Sequence, residues 1–270
     1  SPNASNNDFY PKGKKVTNRR PKSLSQLEAQ PPEIENSIFV NRNLRMDSIK
    51  AVGFDMDYTL ARYSKQKIET LTHQLTIQKL TERGYPKSIK KLQYDPSFVI
   101  RGLTVDKQLG NILKLDRHGH VGHAFHGRRA LSKTERRQAY RRKKLQFEAP
   151  RFALVDTYFE LPEICLYANL IDYVEKTKDS SPLKVDPWQI FDDIRACIDE
   201  VHRDGSLKTV IKSHLPDYIE KDNNLAKTLH KLRSSGKKLF LLTNSFAEYS
   251  HAVMSYLLNN ELPELSLIHI

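Results

Sequence analysis

Two aspartates, Asp55 and Asp57, directly follow a short apolar stretch that has the character of a strand. Ile49, Val52 and Phe54 supply its apolar positions. If this strand belongs to a parallel sheet, Asp55 lies at its carboxyl end, where open α/β sheets bind their ligands. Asp57, two residues further on, can lie near the same point. This spacing allows one carboxylate to act as a nucleophile while its neighbour moves a proton.

The aspartate pair also permits two other interpretations. A calcium-binding loop needs glycine at its sixth position and a bidentate glutamate at its twelfth. Counting from Asp55, these positions hold Leu60 and Gln66, which excludes that loop. A chance acidic turn after a strand stays open on this motif alone, because short motifs often occur without function.

A second strand end repeats the arrangement near the end of the chain. The apolar stretch 239–242 is followed by Thr243, Asn244 and Ser245, and a helical pattern begins soon after. We expect Ser245 to cap that helix at its N-terminus. Free backbone N–H groups and the positive end of the helix dipole suit a phosphate group there. The Thr243 hydroxyl would donate to a phosphoryl oxygen.

These two segments, 54–60 and 242–245, resemble the first and second motifs of the haloacid dehalogenase-like hydrolases. The wider match resembles the cytosolic purine 5'-nucleotidase branch of that superfamily, over about residues 38–264. Further sequence motifs typical of the branch occur in the expected order, at residues 38–44, 84–86, 101–103, 110–114, 126–127 and 201–208. The resemblance implies an α/β fold, with a Rossmann-like parallel-sheet hydrolase core and a large inserted α+β cap domain.

The resemblance also implies a reaction, the Mg²⁺-dependent hydrolysis of nucleoside 5'-monophosphates. Asp55 would be the nucleophile that forms an aspartyl-phosphate, and Asp57 would be the general acid and base. Mg²⁺ would be held by the Asp55 carboxylate and the backbone carbonyl of Asp57. Thr243, with the N–H groups around Asn244 and Ser245, would hold the phosphoryl oxygens.

The implied cap domain carries the remaining candidates for substrate binding, which are His126, Arg128, Arg129, His202, Arg203 and Lys208. Arg128 and Arg129 occupy positions where purine-specific members carry an aromatic residue and an amide, so the preferred base stays open. Without the resemblance, His202 could equally be a histidine at a helix C-terminus, and Lys208 a solvated loop charge. The histidines at 118, 120, 123 and 126 lack a carboxylate or cysteine that would complete a closed zinc site.

The net charge of +12 comes from two segments of the chain. Residues 1–24 hold six Lys or Arg residues and one Asp, and residues 128–144 hold nine Lys or Arg residues and one Glu. The second segment predicts a solvated basic helix, with the attraction of anionic nucleotides as an alternative. We do not expect nucleic-acid recognition, because Tyr140 and Phe147 are the only aromatic residues near this run and no recognisable nucleic-acid module is present.

The charge pattern and the motifs predict five segments. Residues 1–36 form a disordered basic tail, 37–61 the first part of the core and 62–217 the inserted cap. Residues 218–264 return to the core, and 265–270 form a tail that resembles the translation of a sequencing adapter. The resemblance also implies a third-motif lysine and a fourth-motif acidic cluster, which residues 246–270 do not contain. We therefore expect a truncated chain that is by itself poorly soluble and inactive.

Local patterns predict the elements of the cap. Residues 62–100 are helical with a break at 84–86, and 101–126 form hairpins with turns at Gly110 and Gly119. Residues 188–202 form an amphipathic helix. Around the second motif, leucines at helical spacing predict a helix that stops at Gly236.

Composition predicts a cytoplasmic protein. No apolar run approaches the length of a membrane span, and Cys165 and Cys197 lack any close pairing, so two free thiols are expected. The sequence leaves a homo-oligomer open, and the partner it implies is a nucleoside monophosphate substrate. Two alternatives also stay open. One is a phosphatase or phosphotransferase for another phosphorylated metabolite, and the other is a non-catalytic, basic RNA-binding or scaffold protein on a hydrolase fold.

Overall fold

A computed structural model describes residues 43–140, 150–177 and 183–259 of the 270-residue chain. The predicted tail 1–36, the last six residues 265–270 and the end of the basic run lie outside the described residues. The chain divides into two compact units, Ser1–Lys50 and Ala51–Ile270. In the first unit, the described residues form one 3-10 turn, Met46–Ser48.

The second unit mixes helices with parallel and antiparallel strands. Its described strands are β1 (Ala51–Phe54), β2 (Arg62–Tyr63), β3 (Leu103–Asp106), β4 (Asn111–Leu115), β5 (Val121–His126), β6 (Arg129–Ala130), β7 (Phe152–Val155), β8 (Ile219–Glu220) and β9 (Lys238–Leu241). Its described helices are α1 (Lys65–Glu82), α2 (Lys133–Tyr140), α3 (Leu161–Lys176), α4 (Pro187–Arg203), α5 (Ser206–Ser213), α6 (Leu215–Tyr218), α7 (Leu225–Ser234) and α8 (Ala247–Leu258). None of these helices combines the length and the apolar character needed to cross a membrane.

Strands β1 and β9 pair in parallel, with Phe54 opposite Leu241. The pairing continues one step beyond the strands, because the Leu242 N–H donates to the Phe54 carbonyl at 2.7 Å. Helix α7 leads into β9 through Gly236, whose φ of +81° suits a residue without a side chain. The prediction that the two motif-bearing strands are parallel is therefore confirmed, and their carboxyl ends lie side by side.

An antiparallel five-stranded sheet has the order β6-β5-β4-β3-β7. Gly110 and Gly119, with φ values of +69° and +79°, lie in its two predicted turns, so the hairpin prediction for 101–126 is confirmed. The helical prediction for 62–100 is correct only in part. Helix α1 and a short 3-10 helix, Lys87–Lys91, flank the break at 84–86, but residues 92–100 form no helix. Pro96 disfavours a helical conformation at the residue before it.

Helix α4 forms where the pattern predicts it. The Asp186 carboxylate accepts a hydrogen bond from the Gln189 N–H at 2.8 Å, and Pro187 occupies the first turn. Its apolar stripe is buried, including Phe191 and Val201. Helix α2 confirms a basic helix for residues 133–140 of the basic run, whereas Arg129 and Ala130 form strand β6.

The buried apolar residues form two large clusters. The first joins the five-stranded sheet to α3, most of α4 and the end of α1. The second joins Met56, at the first motif, to Val253 of α8 and includes Ile68, Val201 and Leu207. The fold is thus mixed α/β, and its description as a Rossmann-like core with a cap at 62–217 stays a prediction.

Gly127 illustrates how tightly the sheet packs on α3. Its φ is +56°, and a Cβ atom there would lie 1.8 Å from Oδ1 of Asp172. The same Oδ1 accepts the Arg128 N–H at 3.2 Å. We expect Gly127→Ala to lower the free energy of unfolding by about 2–3 kcal/mol, because it combines backbone strain with loss of this hydrogen bond.

Urea unfolding measures this effect, and Gly236→Ala is the matched control. Gly236 also has a positive φ, but nothing lies within 4 Å of its Cβ position. In Gly236→Ala, backbone strain alone should lower the free energy of unfolding by about 1 kcal/mol. Equal losses in the two variants would show that the contact with Asp172 does not contribute.

The carboxyl group of Glu163, on α3, is fully buried and 2.9 Å from the Arg195 guanidinium. Burial raises the pKa of Glu163 by more than the attraction to Arg195 lowers it, and the negative charges of Glu160 and Asp199 raise it further. The pKa of Glu163 is therefore raised to about 8. The folded protein therefore holds this proton more tightly than the unfolded chain does. Between the ordinary pKa of 4.5 and about 8, the unfolded state binds fewer protons, and stability falls as the pH rises.

We expect the wild-type protein to lose roughly 2–4 kcal/mol relative to Glu163→Gln between pH 5 and about pH 9. The amide does not titrate, so the difference between the two proteins isolates Glu163. Denaturant unfolding at a series of pH values measures it. Parallel pH dependences for the two proteins would contradict the raised pKa.

Candidate active site

The first motif forms a tight turn after β1. The carbonyl of the fully buried Met56 accepts hydrogen bonds from the N–H groups of Thr59, Leu60 and Ala61, at 2.9–3.2 Å. Tyr58 has a φ of +60°, which is strained for a residue with a side chain. Such a turn leaves Asp55 exposed at the end of the strand, with its Oδ1 accepting the Met56 N–H at 2.7 Å.

The Asp57 carboxylate is held on both of its oxygens. The Tyr63 hydroxyl donates to Oδ1 at 2.6 Å, and the Ser245 hydroxyl donates to Oδ2 at 2.8 Å. Ser245 lies 188 positions away in the sequence and follows β9. The parallel pairing of β1 with β9 therefore brings the two motifs together, and Asp57 connects them.

Two further groups extend this network. The Tyr249 hydroxyl is 2.9 Å from the Tyr63 hydroxyl, and it must be the donor, because Tyr63 gives its proton to Asp57. On the other side, the Lys208 ammonium donates to Ser245 Oγ at 3.2 Å. Burial and the nearby Asp57 charge raise the pKa of Tyr63, and burial raises that of Tyr249 to about 12. Both phenols therefore stay protonated at neutral pH, as hydrogen-bond donors.

The second motif forms a loop between β9 and α8. Thr243 Oγ1 accepts the Ser245 N–H at 3.1 Å, while Asn244 is exposed. The residue that caps α8 is Phe246, so the prediction that Ser245 is the N-cap was wrong. The Ser245 hydroxyl is directed instead to Asp57, which a local pattern could not show.

A small cavity of about 40 Å³ borders Asp57, and two of the predicted substrate-binding residues, His202 and Lys208, line it. The Nε2 atom of His202 is buried and has no hydrogen-bond partner among the described residues. Burial, followed by the nearby Lys208 charge, lowers the pKa of His202. The imidazole is therefore neutral at neutral pH, and His202 lines the same cavity as the catalytic candidate Asp57.

Aromatic rings to which the sequence assigned no role form a cluster beside the cavity that Asp57 lines. The Tyr58 ring lies 5.2 Å from that of Phe159 and 5.6 Å from that of Tyr158. Phe159 also lines the cavity and contacts the His202 ring edge-on. Tyr158 and Phe159 are 39% and 40% exposed. Partly exposed rings beside a polar site suit the stacking of a flat ligand ring. Their only signal in the sequence is the pair of adjacent aromatic residues itself.

Other candidates make their contacts elsewhere in the fold. His126 bonds to Asn111 and Glu175, at 2.8 and 2.7 Å. Arg128 pairs with Asp95 and lies over the Phe98 ring, and Arg129 pairs with Glu135. Arg203 is exposed at the end of α4 and does not line the cavity. The structure therefore brings His202 and Lys208 to Asp57, but it places the side-chain contacts of His126, Arg128 and Arg129 within the sheet and its neighbours.

The chemistry of the donors at Asp55 and Asp57 fits Mg²⁺. Among the described residues, no group of three or more His, Cys, Asp or Glu residues is arranged to hold a metal. Mg²⁺, however, binds hard oxygen ligands and usually keeps several waters, so that one or two carboxylates are enough. The exposed Asp55 carboxylate and the backbone carbonyl of Asp57 are oxygens of this kind.

Comparison with known proteins identifies a family and a relative for most of the chain. A model of the 5' nucleotidase family matches residues 38–266. A 5'-nucleotidase domain-containing protein of Dictyostelium discoideum is 39% identical over 251 residues, which are 91% of this chain and 41% of that relative. The chain thus spans about two fifths of the length of this relative. Because the family match extends over most of the sequence, the chain belongs to the 5'-nucleotidase family.

Proposed function

We propose that the whole protein hydrolyses nucleoside 5'-monophosphates to nucleoside and phosphate, with Asp55 as the nucleophile. Family membership supports a phosphoric monoester hydrolase. The observation that carries the proposal is the Asp57 carboxylate, which lies two residues from the exposed Asp55 and is bonded by Tyr63 and Ser245. The motifs further support the haloacid dehalogenase-like superfamily, its cytosolic purine 5'-nucleotidase branch and a cytoplasmic location as parts of this proposal.

The reaction divides into two displacements at phosphorus. In the first, an Asp55 oxygen forms a bond to phosphorus while the bond to the 5'-oxygen breaks, and protonated Asp57 gives its proton to that oxygen. In the second, Asp57 removes a proton from water, whose oxygen attacks phosphorus and releases Asp55. The Ser245 hydroxyl can turn to accept instead of donate when Asp57 carries the proton.

The loop after β9 would bind the phosphoryl group. The Thr243 hydroxyl and the backbone N–H groups around Asn244 would donate to its oxygens, and the Lys208 ammonium, already at Ser245, adds a positive charge. Mg²⁺, held by the Asp55 carboxylate and the Asp57 carbonyl, would offset the repulsion between the anionic nucleophile and the anionic substrate.

We propose that the base lies against Phe159, with His202 as a hydrogen-bond partner. Their edge-on contact beside Asp57 supports this position, as does the open Nε2 of His202. Roles in substrate binding for His126, Arg128, Arg129 and Arg203 rest on the resemblance alone.

A panel of substrates tests the function. Phosphate release by the whole protein is measured with nucleoside 5'-monophosphates, sugar phosphates and added nucleoside acceptors, each with Mg²⁺. The proposal predicts the highest kcat/KM for a nucleoside 5'-monophosphate. Preference for a sugar phosphate would favour a different phosphatase, and transfer to the acceptor a phosphotransferase. Salt-sensitive RNA binding without phosphate release would favour the non-catalytic alternative.

We expect Tyr63→Phe to lower kcat/KM for nucleoside 5'-monophosphates about tenfold, since one hydrogen bond to Asp57 is lost. The ring, and its 5.2 Å contact with Tyr58, is kept. Tyr249→Phe should have a smaller effect, because its hydroxyl reaches Asp57 only through Tyr63.

A positioning role for Tyr63 has a distinct signature. The loss should be smaller with nitrophenyl phosphate, whose leaving group needs no proton, than with a nucleotide. A loss of equal size for both substrates, accompanied by a lower unfolding midpoint, would show that the hydroxyl acts on stability and not on Asp57.

A further inference from the structure

A second cavity, of about 490 Å³, lies between helix α1 and residues 90–94. It shares no lining residue with the small cavity beside Asp57. Its volume falls in the range of about 300–1,000 Å³ that is usual for small-molecule sites. No step of the proposed reaction uses it.

One wall is a single face of helix α1. His73, Gln74, Ile77 and Gln78 line the cavity, and their spacing of three and four places them on neighbouring turns of one side. His73 and Ile77 are buried, whereas Gln74 and Gln78 are exposed. The helix side of the cavity is therefore apolar and aromatic at its buried base, the floor of the cavity, and carries amide groups at the rim of its opening.

The opposite wall also combines half-buried apolar or aromatic residues with exposed polar ones. Leu92 and Tyr94 are half-buried, whereas Lys90 and Gln93 are exposed at the rim. Lys90 is the one charged residue among those that line the cavity. A ligand that fits this lining is polar at its edge, apolar on its faces and carries a single negative charge.

His73 shows that the floor can form more hydrogen bonds than the described residues supply. The residue is 1% exposed, and its Nε2 has no partner among them. Burial lowers its pKa to about 4, so the ring is neutral at neutral pH. Its ring lies 5.9 Å from that of Tyr94, whose hydroxyl donates to the buried Glu69 at 3.0 Å. Buried polar atoms without a partner are rare in proteins, and a bound ligand or water is one way of supplying the missing hydrogen bond.

We propose that this cavity binds a small planar metabolite with one anionic group, either a carboxylate or a phosphate. The ring would lie beside His73 and Tyr94, where the open Nε2 would bond to its polar edge. The glutamine amides at the rim can both donate and accept, and the anion would pair with Lys90. The site is independent of Asp55 and goes beyond the proposed hydrolysis.

Calorimetric titration of the whole protein tests the proposal with two probes that a phosphatase cannot hydrolyse. Orotate carries a carboxylate on a planar ring, and phenylphosphonate carries the phosphate-like group. Acetate and inorganic phosphate supply the same charges without a ring. We expect at least one planar probe to bind with a Kd below about 1 mM and to bind more tightly than its ringless counterpart. The better probe identifies the anionic group.

Variants then locate the binding. Lys90→Gln should weaken the binding of the planar probe about three- to fivefold, because an exposed ion pair is lost. Lys91→Gln is the matched control, since Lys91 is also exposed but does not line the cavity. His73→Leu should weaken binding about tenfold, with thermal unfolding as the check on its fold. Lys208→Gln, which removes the positive charge beside Ser245 at the active site, should leave binding of the planar probe unchanged, since Lys208 does not line this cavity.

Three results would overturn the site. The first is that neither planar probe binds below about 1 mM. The second is that Lys90→Gln and Lys91→Gln have equal effects, and the third is that Lys208→Gln abolishes binding of the probe. If His73→Leu does not fold, the comparison of the two lysine variants decides by itself.

Discussion

Asp55→Asn is expected to abolish phosphate release by the whole protein, with a loss of kcat of about 10⁴–10⁶-fold. An amide is neutral and is too poor a nucleophile to form the acyl-phosphate. Because Asp55 is exposed and its Oδ1 accepts only its neighbour's N–H among the described groups, the substitution should leave the fold intact. Substrate binding should survive or improve, since one negative charge next to an anionic phosphate is removed.

The assay is phosphate release under saturating nucleotide, with equilibrium binding measured in parallel. Asp47→Asn is the matched control, because its carboxylate is exposed and pairs only with the exposed Arg45 among the described groups. That variant should retain full activity. If Asp55→Asn kept more than a few per cent of the wild-type kcat, another residue would have to be the nucleophile.

Asp57→Asn should lower kcat by about 10²–10⁴-fold, the usual contribution of a positioned acid–base group. Both proton transfers depend on it, one to the 5'-oxygen and one from the attacking water. The amide would also disturb the network, because its NH₂ group cannot accept from the Tyr63 or Ser245 hydroxyl that now donates there.

The leaving group distinguishes these effects. With nitrophenyl phosphate, whose leaving group is a weak base, the first step needs no acid, and the loss should be smaller than with a nucleotide. Steady-state kcat/KM for both substrates measures the difference, because it reports the first displacement, whereas the second displacement is the same for both. Equal losses would assign Asp57 a role in holding the site together and would argue against proton transfer to the leaving group.

Local patterns were enough to predict several elements of the fold, including one that contributes to the site. The spacing of Ile190, Phe191 and Ile194 predicted α4, and the glycines at 110 and 119 predicted the hairpins, because helix periodicity and positive φ are local properties. The parallel pairing of the two motif strands was also predictable. Open α/β sheets with parallel strands bind their ligands at the carboxyl ends of those strands, and both motifs directly follow a strand. The contact of Ser245 with Asp57 follows from that pairing.

The rest of the site depends on packing between distant segments. Tyr63 and Phe159 are ordinary aromatic residues in the sequence, and only the fold places them at Asp57. Arg128 shows the opposite case. Its position in the family motif suggested a substrate contact, but Asp95, on a segment whose path no local pattern indicates, pairs with its guanidinium. Serine is a residue type that often caps helices, yet the Ser245 hydroxyl donates its hydrogen bond to a carboxylate 188 positions away.

The central claim is that Asp55 carries the phosphoryl group during turnover. The whole protein is mixed with a nucleoside 5'-monophosphate and Mg²⁺, quenched in acid within milliseconds and treated with borohydride, which reduces an acyl-phosphate to the alcohol. Peptide mass spectrometry should then find homoserine at position 55 in the wild-type protein and an unmodified residue in Asp55→Asn. Phosphate release with an unmodified Asp55, or with the reduced residue at position 57, would contradict the mechanism.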